Sequence, residues 1–534
     1  MHNFSAHQRN YQRLHTIAAI MLLPLLLAGC QATLDKPDSP SQSISKPRVE
    51  LERSTVTQSA PTLTTLADPD SDEFVVELYN YAQIQVGKHF GISLEPVTLK
   101  LADNDELEFF VQRETKKLSH AVFHNNRFAD FFVNKVIEDQ TGTYAGLYVS
   151  PENQVVLNRE LLTVFRNSLR ASLRSNSADK ERDLISQSLL ALIIHELVHA
   201  ADNERFQIHN RRELNFRASV AQSAVFEGHA QLATREICGK LNCLEGLRRL
   251  DAFMFEAPEP TDPVARSLQA VSRNVLEYAY VEGERFLQSL KNLPNGKQRL
   301  EAALKNPPED PVQILDPENY PDNARVQRNH QIFSQLRSLD HKWNSPEYAL
   351  IETSPIKGLD LRSDPGRREA TKEGFTRLIR SMVGAQLFNQ QATRIQPVEI
   401  TVMQTESQET ADLFSKSFQE KATQSTEGNT YSNTLHLIVG DTLSKQNAVN
   451  GESWPMRVFL AITKLENTDN PNEPDTHYVN LIANAGNWII QMGGVADPGD
   501  ISMISFSELA MHKLLSGGLS TEALLKSDKL RRDG

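Results

Sequence analysis

The chain is short of cysteine, of positive charge and of apolar runs long enough to hold a bilayer, and each shortage excludes something. Three cysteines in 534 residues leave room for one disulfide at most. Basic residues number 56 against 68 acidic ones, a net charge of −12, or −14 once a leader carrying Arg9 and Arg13 is removed. Such an acidic surface argues against nucleic acid or anionic lipid as the main partner. The apolar run Ile17 to Leu27 is too short for a permanent membrane anchor. No internal repeat is evident, and the last third of the chain carries no metal spacing, nucleophile motif or phosphate loop. What is present is ordinary for a soluble globular protein: 23% charged and 39% hydrophobic residues, in a length that suggests two to about four domains.

The first thirty residues read as a targeting segment. A basic start leads into the apolar run, which ends in Leu27-Ala28-Gly29-Cys30. This resembles the lipobox of bacterial lipoproteins, and the resemblance implies cleavage before Cys30 and acylation of its thiol. Gln31 follows, which by the same resemblance to Gram-negative lipoproteins implies the outer membrane, with the protein facing the periplasm. Residues 1–29 are thus expected as a signal peptide. From Gln31 to about Asp70 there is no aromatic residue and much Ser, Thr, Pro and Gln, so residues 30–70 are expected to form a flexible tether.

Folded structure is expected from near Phe74, where Phe74, Val75, Leu78 and Tyr79 recur at helical spacing until Gly91 and Pro96. A second mainly helical stretch, Leu107 to Ile137, carries six phenylalanines expected in a core. Thr143 to Asn158 then reads as two short strands around Pro151-Glu152-Asn153.

The chain is organised around Leu189 to Asp202, LLALIIHELVHAAD. His195, Glu196 and His199 spell H-E-x-x-H. Residues four apart share a helix face, so both imidazoles can reach one metal ion, while Glu196 can hold a water beside it. The helix is expected from just after Ser177 to about Asn203, apolar nearly all round and therefore buried. Two histidines and a glutamate there would be costly without partners, and a metal resolves that cost.

The third ligand is open among several residues. The extension HExxHxxGxxH fails, because Asp202 and Arg205 occupy its last two named positions. Phe216 to Ile237 is a candidate second helix containing Glu227-Gly228, with Val220, Ala224, Ala230 and Thr234 making a small, apolar face beside Glu227. His229 lies roughly 200° around that helix from Glu227 and cannot easily share its ion. Glu227 is preferred; Asp202, which suits the orienting of a histidine, and Glu282, in a second Glu-Gly pair, are the rivals.

Residues from about Thr143 to Phe286 resemble a gluzincin-type HExxH zinc metallopeptidase. The resemblance implies zinc held by His195, His199 and Glu227, Glu196 as general base, and a peptide or protein substrate lying along the edge of the preceding hairpin. It also implies an oxyanion donor, for which Tyr278, Tyr280, His209 and His229 are available without a ranking. In an oxidising periplasm Cys238 and Cys243 could form a small-loop disulfide at the end of the Glu227 helix. A competing reading is a zincin-like binding or scaffold lipoprotein that no longer turns over.

Beyond this the sequence suggests a helix from Asp262-Pro263 towards Leu290, a loop over Ile314 to Pro321, and an end to the catalytic unit near Tyr348. A linker follows, then a helix over Ala370 to Phe388. Strands are expected at Val398 to Met403, Thr434 to Val439, Met456 to Ile462 and His477 to Met492, with helices at Ala411 to Ala422 and Phe506 to Leu515. The expectation is an α+β protein: a mainly helical zincin-like domain with a small sheet (71–348), a linker (349–369), a smaller α+β domain of unassigned role (370–525) and a tail (526–534).

Overall fold

The structure, a computed structural model, describes residues 67–94, 96–140, 144–150, 152–173, 178–208, 216–255, 278–321, 323–353, 378–391, 397–424, 433–440, 456–465, 476–495 and 502–516. The leader, Cys30 and nearly all of the expected tether lie outside the described residues, as do Ser177, His209, Asp262-Pro263 and most of the expected linker.

Helix α1 (Asp72–Phe90) starts at Ser71, whose side chain accepts from the Phe74 amide, and stops at Gly91 with φ 67°. Its apolar stripe, Phe74, Val75, Leu78, Tyr79, Ala82 and Val86, is buried against the HExxH helix. Strand β1 (Thr98–Ala102) follows, an element the sequence reading lacks, because five residues whose burial does not alternate give little signal. Helices α2 (Asn104–Val122) and α3 (Asn126–Gln140) occupy the expected helical stretch, broken where Asn125 Oδ1 accepts from the Phe128 amide. Phe110, Phe123, Phe128 and Phe132 are buried as expected, whereas Phe109 is 60% exposed: α2 packs by one face, and Phe109 lies off it.

The expected hairpin is present as β2 (Gly146–Val149) and β3 (Gln154–Asn158), antiparallel, with Asn153 at φ 46° in its turn. Strand β1 joins β3 in parallel, giving the order β1-β3-β2, so β2 is an edge. After α4 (Arg159–Ser172) comes α5 (Ala178–Phe206), which carries the HExxH motif and is buried from Leu184 to Asp202. Among the described residues it alone is long and apolar enough to cross a membrane, but 94% of its apolar window is buried inside the fold. It is a core helix.

Helix α6 (Phe216–Leu241) packs on α5, and α7 (Leu244–Phe255) on α5 from another side. A single π-helical turn (Tyr278–Glu282) leads into α8 (Gly283–Asn292), followed by α9 (Gly296–Lys305) and the short α10 (Pro311–Leu315). Two cores result. One lies between α1, α5, α6 and the hairpin; the other joins α2, α3, α6, α8 and the π turn.

The second half departs from expectation in three places. Ala370 to Phe388 was expected as a helix, but β5 covers Ile379–Asn389. That strand is buried on both faces, so its apolar run has no period that separates it from a buried helix. His477 to Met492 is a hairpin, β9 (Thr476–Ala485) and β10 (Trp488–Val495), turning at Gly486-Asn487 with Gly486 at φ 56°. Finally, β4 (Tyr348–Thr353) pairs with β5 inside the segment expected as linker, and α11 (Asn323–Arg337), expected in the catalytic unit, packs on the same sheet.

With β6 (Val398–Thr405), β7 (Asn433–Gly440) and β8 (Met456–Leu465), the sheet has the order β4-β5-β6-β10-β9-β8-β7, antiparallel throughout. Helices α11 and α13 (Ser502–Ser516) cover one face; α12 (Gln408–Gln424) and α10 pack on the other. The whole is an α+β protein in which the sheet and the helical region share buried contacts. Arg217, fully buried at the start of α6, pairs with Asp310 and with Glu352 of β4 and donates to the Met382 carbonyl of β5.

Candidate metal centre

Helices α5 and α6 bring three side chains to one point. His195 Nε2 lies 3.1 Å and His199 Nε2 3.4 Å from the same oxygen, Glu227 Oε2. The two imidazoles stand 4.9 Å apart with planes at 84°. His195, His199 and Glu227 could hold a metal ion: their ligand atoms all lie within 4.8 Å of one another. Tetrahedral coordination with bonds of about 2.0–2.1 Å puts ligand atoms roughly 3.3–3.4 Å apart. The two nitrogen–oxygen separations match that edge length, so the donors present fit such an ion.

The electrostatics are those of a buried, mutually dependent set. Burial pulls His199 down, but the Glu227 carboxylate, through its charge and a hydrogen bond, overrides this with help from Glu196 and Asp202 and pushes His199 up to about 9. Burial pushes Glu227 up, and the two histidines outweigh it, holding that carboxyl well below its usual range. For Glu196 the balance is reversed. Burial raises its pKa, and the opposing pull of His195 and His199 does not restore it, with Glu227 adding repulsion.

Glu196 is placed by the edge strand. The main-chain amide of Tyr148 hydrogen-bonds its carboxylate, and Gly146 faces it: a Cβ at Gly146 would sit 2.9 Å from Glu196 Oε1. Glycine lets β2 run this close to the helix without displacing that carboxylate. Asn158 N donates to Ala145 O, so in the alternating ladder Gly146 directs its own amide and carbonyl away from β3, towards the open edge.

Glu227 is placed by a helix crossing. A Cβ on Gly228 would lie 2.1 Å from the Gly283 carbonyl carbon, and one on Gly283 would lie 1.9 Å from Ala224 O. The two Glu-Gly pairs of the sequence thus meet: their glycines let α6 and α8 touch backbone to backbone. The close approach carries the π turn over the site, where the Tyr280 ring stacks on His195 at 5.5 Å and 21° and its phenol donates to Glu227. Burial and the nearby carboxylates keep that phenol protonated.

The other candidates are placed elsewhere. Glu282 pairs with Arg285 at 2.8 Å and is not part of the cluster. Asp202 does orient a histidine, but it is His229, whose Nδ1 donates to Asp202 Oδ2 at 2.6 Å; on His199 Asp202 acts only through its charge. That bond engages His229 through Nδ1 alone, and the Tyr278 phenol donates to Pro311 O at 2.9 Å, outside the cluster. Cys238 and Cys243 are joined as a disulfide, fully buried where α6 passes to α7. The sequence reading missed Gly146, the Tyr148 amide and Tyr144. Tyr144 lies two residues before the edge strand and feels the charge of Glu227. Position beside the hairpin was the one available signal.

No protein family, curated protein or solved structure matches the chain.

Proposed function

We propose that the protein is a zinc-dependent peptidase of the gluzincin type, tethered through a lipid on Cys30 to the outer membrane and facing the periplasm. The observation that carries this reading is the convergence of His195 Nε2 and His199 Nε2 on Glu227 Oε2, with Glu196 buried beside them. Two imidazoles and one carboxylate, with a further position left for water, suit catalytic zinc. Zinc bound there would supply Lewis acidity, polarising a carbonyl and making water acidic near neutral pH.

The chain's own residues account for the rest. Glu196 is oriented by the Tyr148 amide to take the proton of the attacking water and to pass it to the departing amine. The amide and carbonyl of Gly146, directed away from β3, would offer an extended peptide one pair of main-chain hydrogen bonds beside that carboxylate, the recognition mode of an added strand. Tyr280 holds Glu227 in place by stacking on its neighbour and donating to its carboxylate.

The test is zinc stoichiometry by elemental analysis, together with cleavage of a quenched fluorescent peptide library. The wild type is expected to hold one zinc and cleave; His195→Ala and Glu227→Ala are expected to lose zinc, and Glu196→Gln to keep zinc and lose cleavage. Full zinc in both ligand variants refutes the site. Unchanged cleavage in Glu196→Gln refutes the assignment of the base, while zinc without any cleavage in the wild type favours a binding or scaffold protein.

A further inference from the structure

Of four tyrosines on the edge strand, just before it, or on the π turn, three have engaged phenols. Tyr148 bonds Asn153 Oδ1 at 2.9 Å, Tyr278 bonds Pro311 O, and Tyr280 bonds Glu227. The fourth, Tyr144, has a buried hydroxyl with no hydrogen-bond partner. A buried, unpaired donor is costly and calls for an explanation from what is bound beside it.

Its position supplies one. Tyr144 lies two residues before the first residue of β2 and packs, with Leu147 and Val149, against one and the same core. Gly146 and Tyr148 of β2 look at α5: Gly146 lies against Glu196, and the Tyr148 hydroxyl accepts from Asn203 Nδ2 at 3.3 Å. The Tyr144 ring packs at the margin of the core built around α6, α8 and the π turn. Its hydroxyl is close enough to Glu227 and to the Tyr280 phenol for electrostatic interaction with both. The unpaired donor thus lies beside the third ligand and the π turn that covers the site.

We propose that Tyr144 is a catalytic residue: its hydroxyl donates a hydrogen bond to the scissile carbonyl oxygen as that oxygen becomes an oxyanion. The proposal rests on the hydrolase reading and goes beyond it in naming the donor. In the first step the water oxygen bonds the carbonyl carbon, its proton passes to Glu196, and the carbonyl π pair moves to the oxygen that Tyr144 contacts. In the second that pair reforms the carbonyl, the C–N bond breaks, and Glu196 returns the proton to the amine. Tyr144 keeps its own proton throughout. Tyr280 is the weaker candidate, since its hydrogen is already given to Glu227.

The test compares Tyr144→Phe with wild type, using Tyr79→Phe, whose phenol bonds Val97 O, as the control for loss of a tyrosine hydroxyl. Because the Tyr144 hydroxyl has no partner to lose, Tyr144→Phe is expected to keep its metal stoichiometry and to melt no lower than wild type. Cleavage by Tyr144→Phe is expected to fall about 100-fold in kcat with little change in KM, the scale of losing one oxyanion donor. Independently of turnover, the cobalt-substituted protein titrated with inorganic phosphate, a tetrahedral oxyanion, is expected to bind it at least tenfold more weakly, read from the visible cobalt band. Phosphate affinity equal to wild type, with cleavage within threefold, overturns the role of Tyr144 and leaves the hydrolase reading standing. A zinc-loaded wild type that cleaves no peptide overturns both.

Discussion

Replacing Gly228 by alanine tests whether the helix crossing, rather than the HExxH motif alone, sets the metal centre. The added Cβ would stand 2.1 Å from the Gly283 carbonyl carbon and 2.5 Å from the Glu284 amide nitrogen. Carbon atoms rest at about 3.5 Å, so α6 and α8 must part by roughly 1.4 Å. Both contacts are backbone, and no side chain can swing aside. Alanine gains about 1 kcal/mol of helix propensity over glycine, against an overpacking cost of about 1–3 kcal/mol or more. Metal geometry tolerates errors of only about 0.5 Å, and Glu227 is the neighbouring residue, so zinc affinity is expected to fall about 10- to 100-fold. Gly239→Ala is the control: it lies on the same helix with nothing within 4 Å of its added Cβ, and should be neutral or slightly stabilising. Melting temperatures and zinc competition with a chelator give both readouts. If Gly228→Ala matches Gly239→Ala in both, the crossing does not position Glu227.

Three further outcomes follow from the structure. Arg217→Met leaves Asp310 and Glu352 as buried, uncompensated acids and should cost about 3–5 kcal/mol of stability, recovered largely in Arg217→Met/Asp310→Asn/Glu352→Gln. Burial already raises Glu352 and Arg217 opposes this, so in the single variant its folded pKa rises further. The penalty of keeping it charged is released as pH falls through that value, and the melting deficit should shrink from pH 8 to pH 5. In the metal-free protein His199 titrates at about 9 against 6.5 unfolded, so its contribution to stability is complete below about pH 6.5 and lost as pH rises through 9. Zinc needs the neutral imidazole, so calorimetry at pH 7.5 in buffers of different ionisation enthalpy should show about one proton released per zinc; none released refutes the pairing. Reducing Cys238–Cys243, a short loop, should cost about 2 kcal/mol and leave zinc bound, measured by thermal melting with and without reductant.

What could be read ahead of the structure follows the range of the interactions involved. Helix α5 declared itself because its apolar residues run continuously around a motif spaced at one turn, and α1 because Phe74, Val75, Leu78 and Tyr79 recur at helical spacing up to Gly91. The hairpin was visible from strand formers around Glu152-Asn153. Strand β5 was not: Met382, Val383, Ala385, Leu387 and Phe388 are all buried, and a run buried on both faces carries no period. The packing partner of α11 was hidden for a related reason. The apolar face of α11 says that it packs but not on what, and it packs on a sheet most of whose strands come later in the chain.

The centre divides in the same way. The pairing of His195 with His199 is local, set by four residues of helix, and could be read directly. Glu227 could be proposed because small residues flank it, yet its inward direction depends on Gly283, fifty-six residues away, meeting Gly228. Each Glu-Gly pair alone reads as an acid beside a flexible residue; only together do they state that two helices touch. Tyr144 and Tyr280 are a step further off, since what separates them is where one hydrogen goes. Tyr280 gives its hydrogen to Glu227, whereas the Tyr144 hydroxyl is left without a protein acceptor. A spacing rule finds the ligands of such a centre, but only the bookkeeping of donors and acceptors around it separates the tyrosine that supports a ligand from the one left free to meet a substrate.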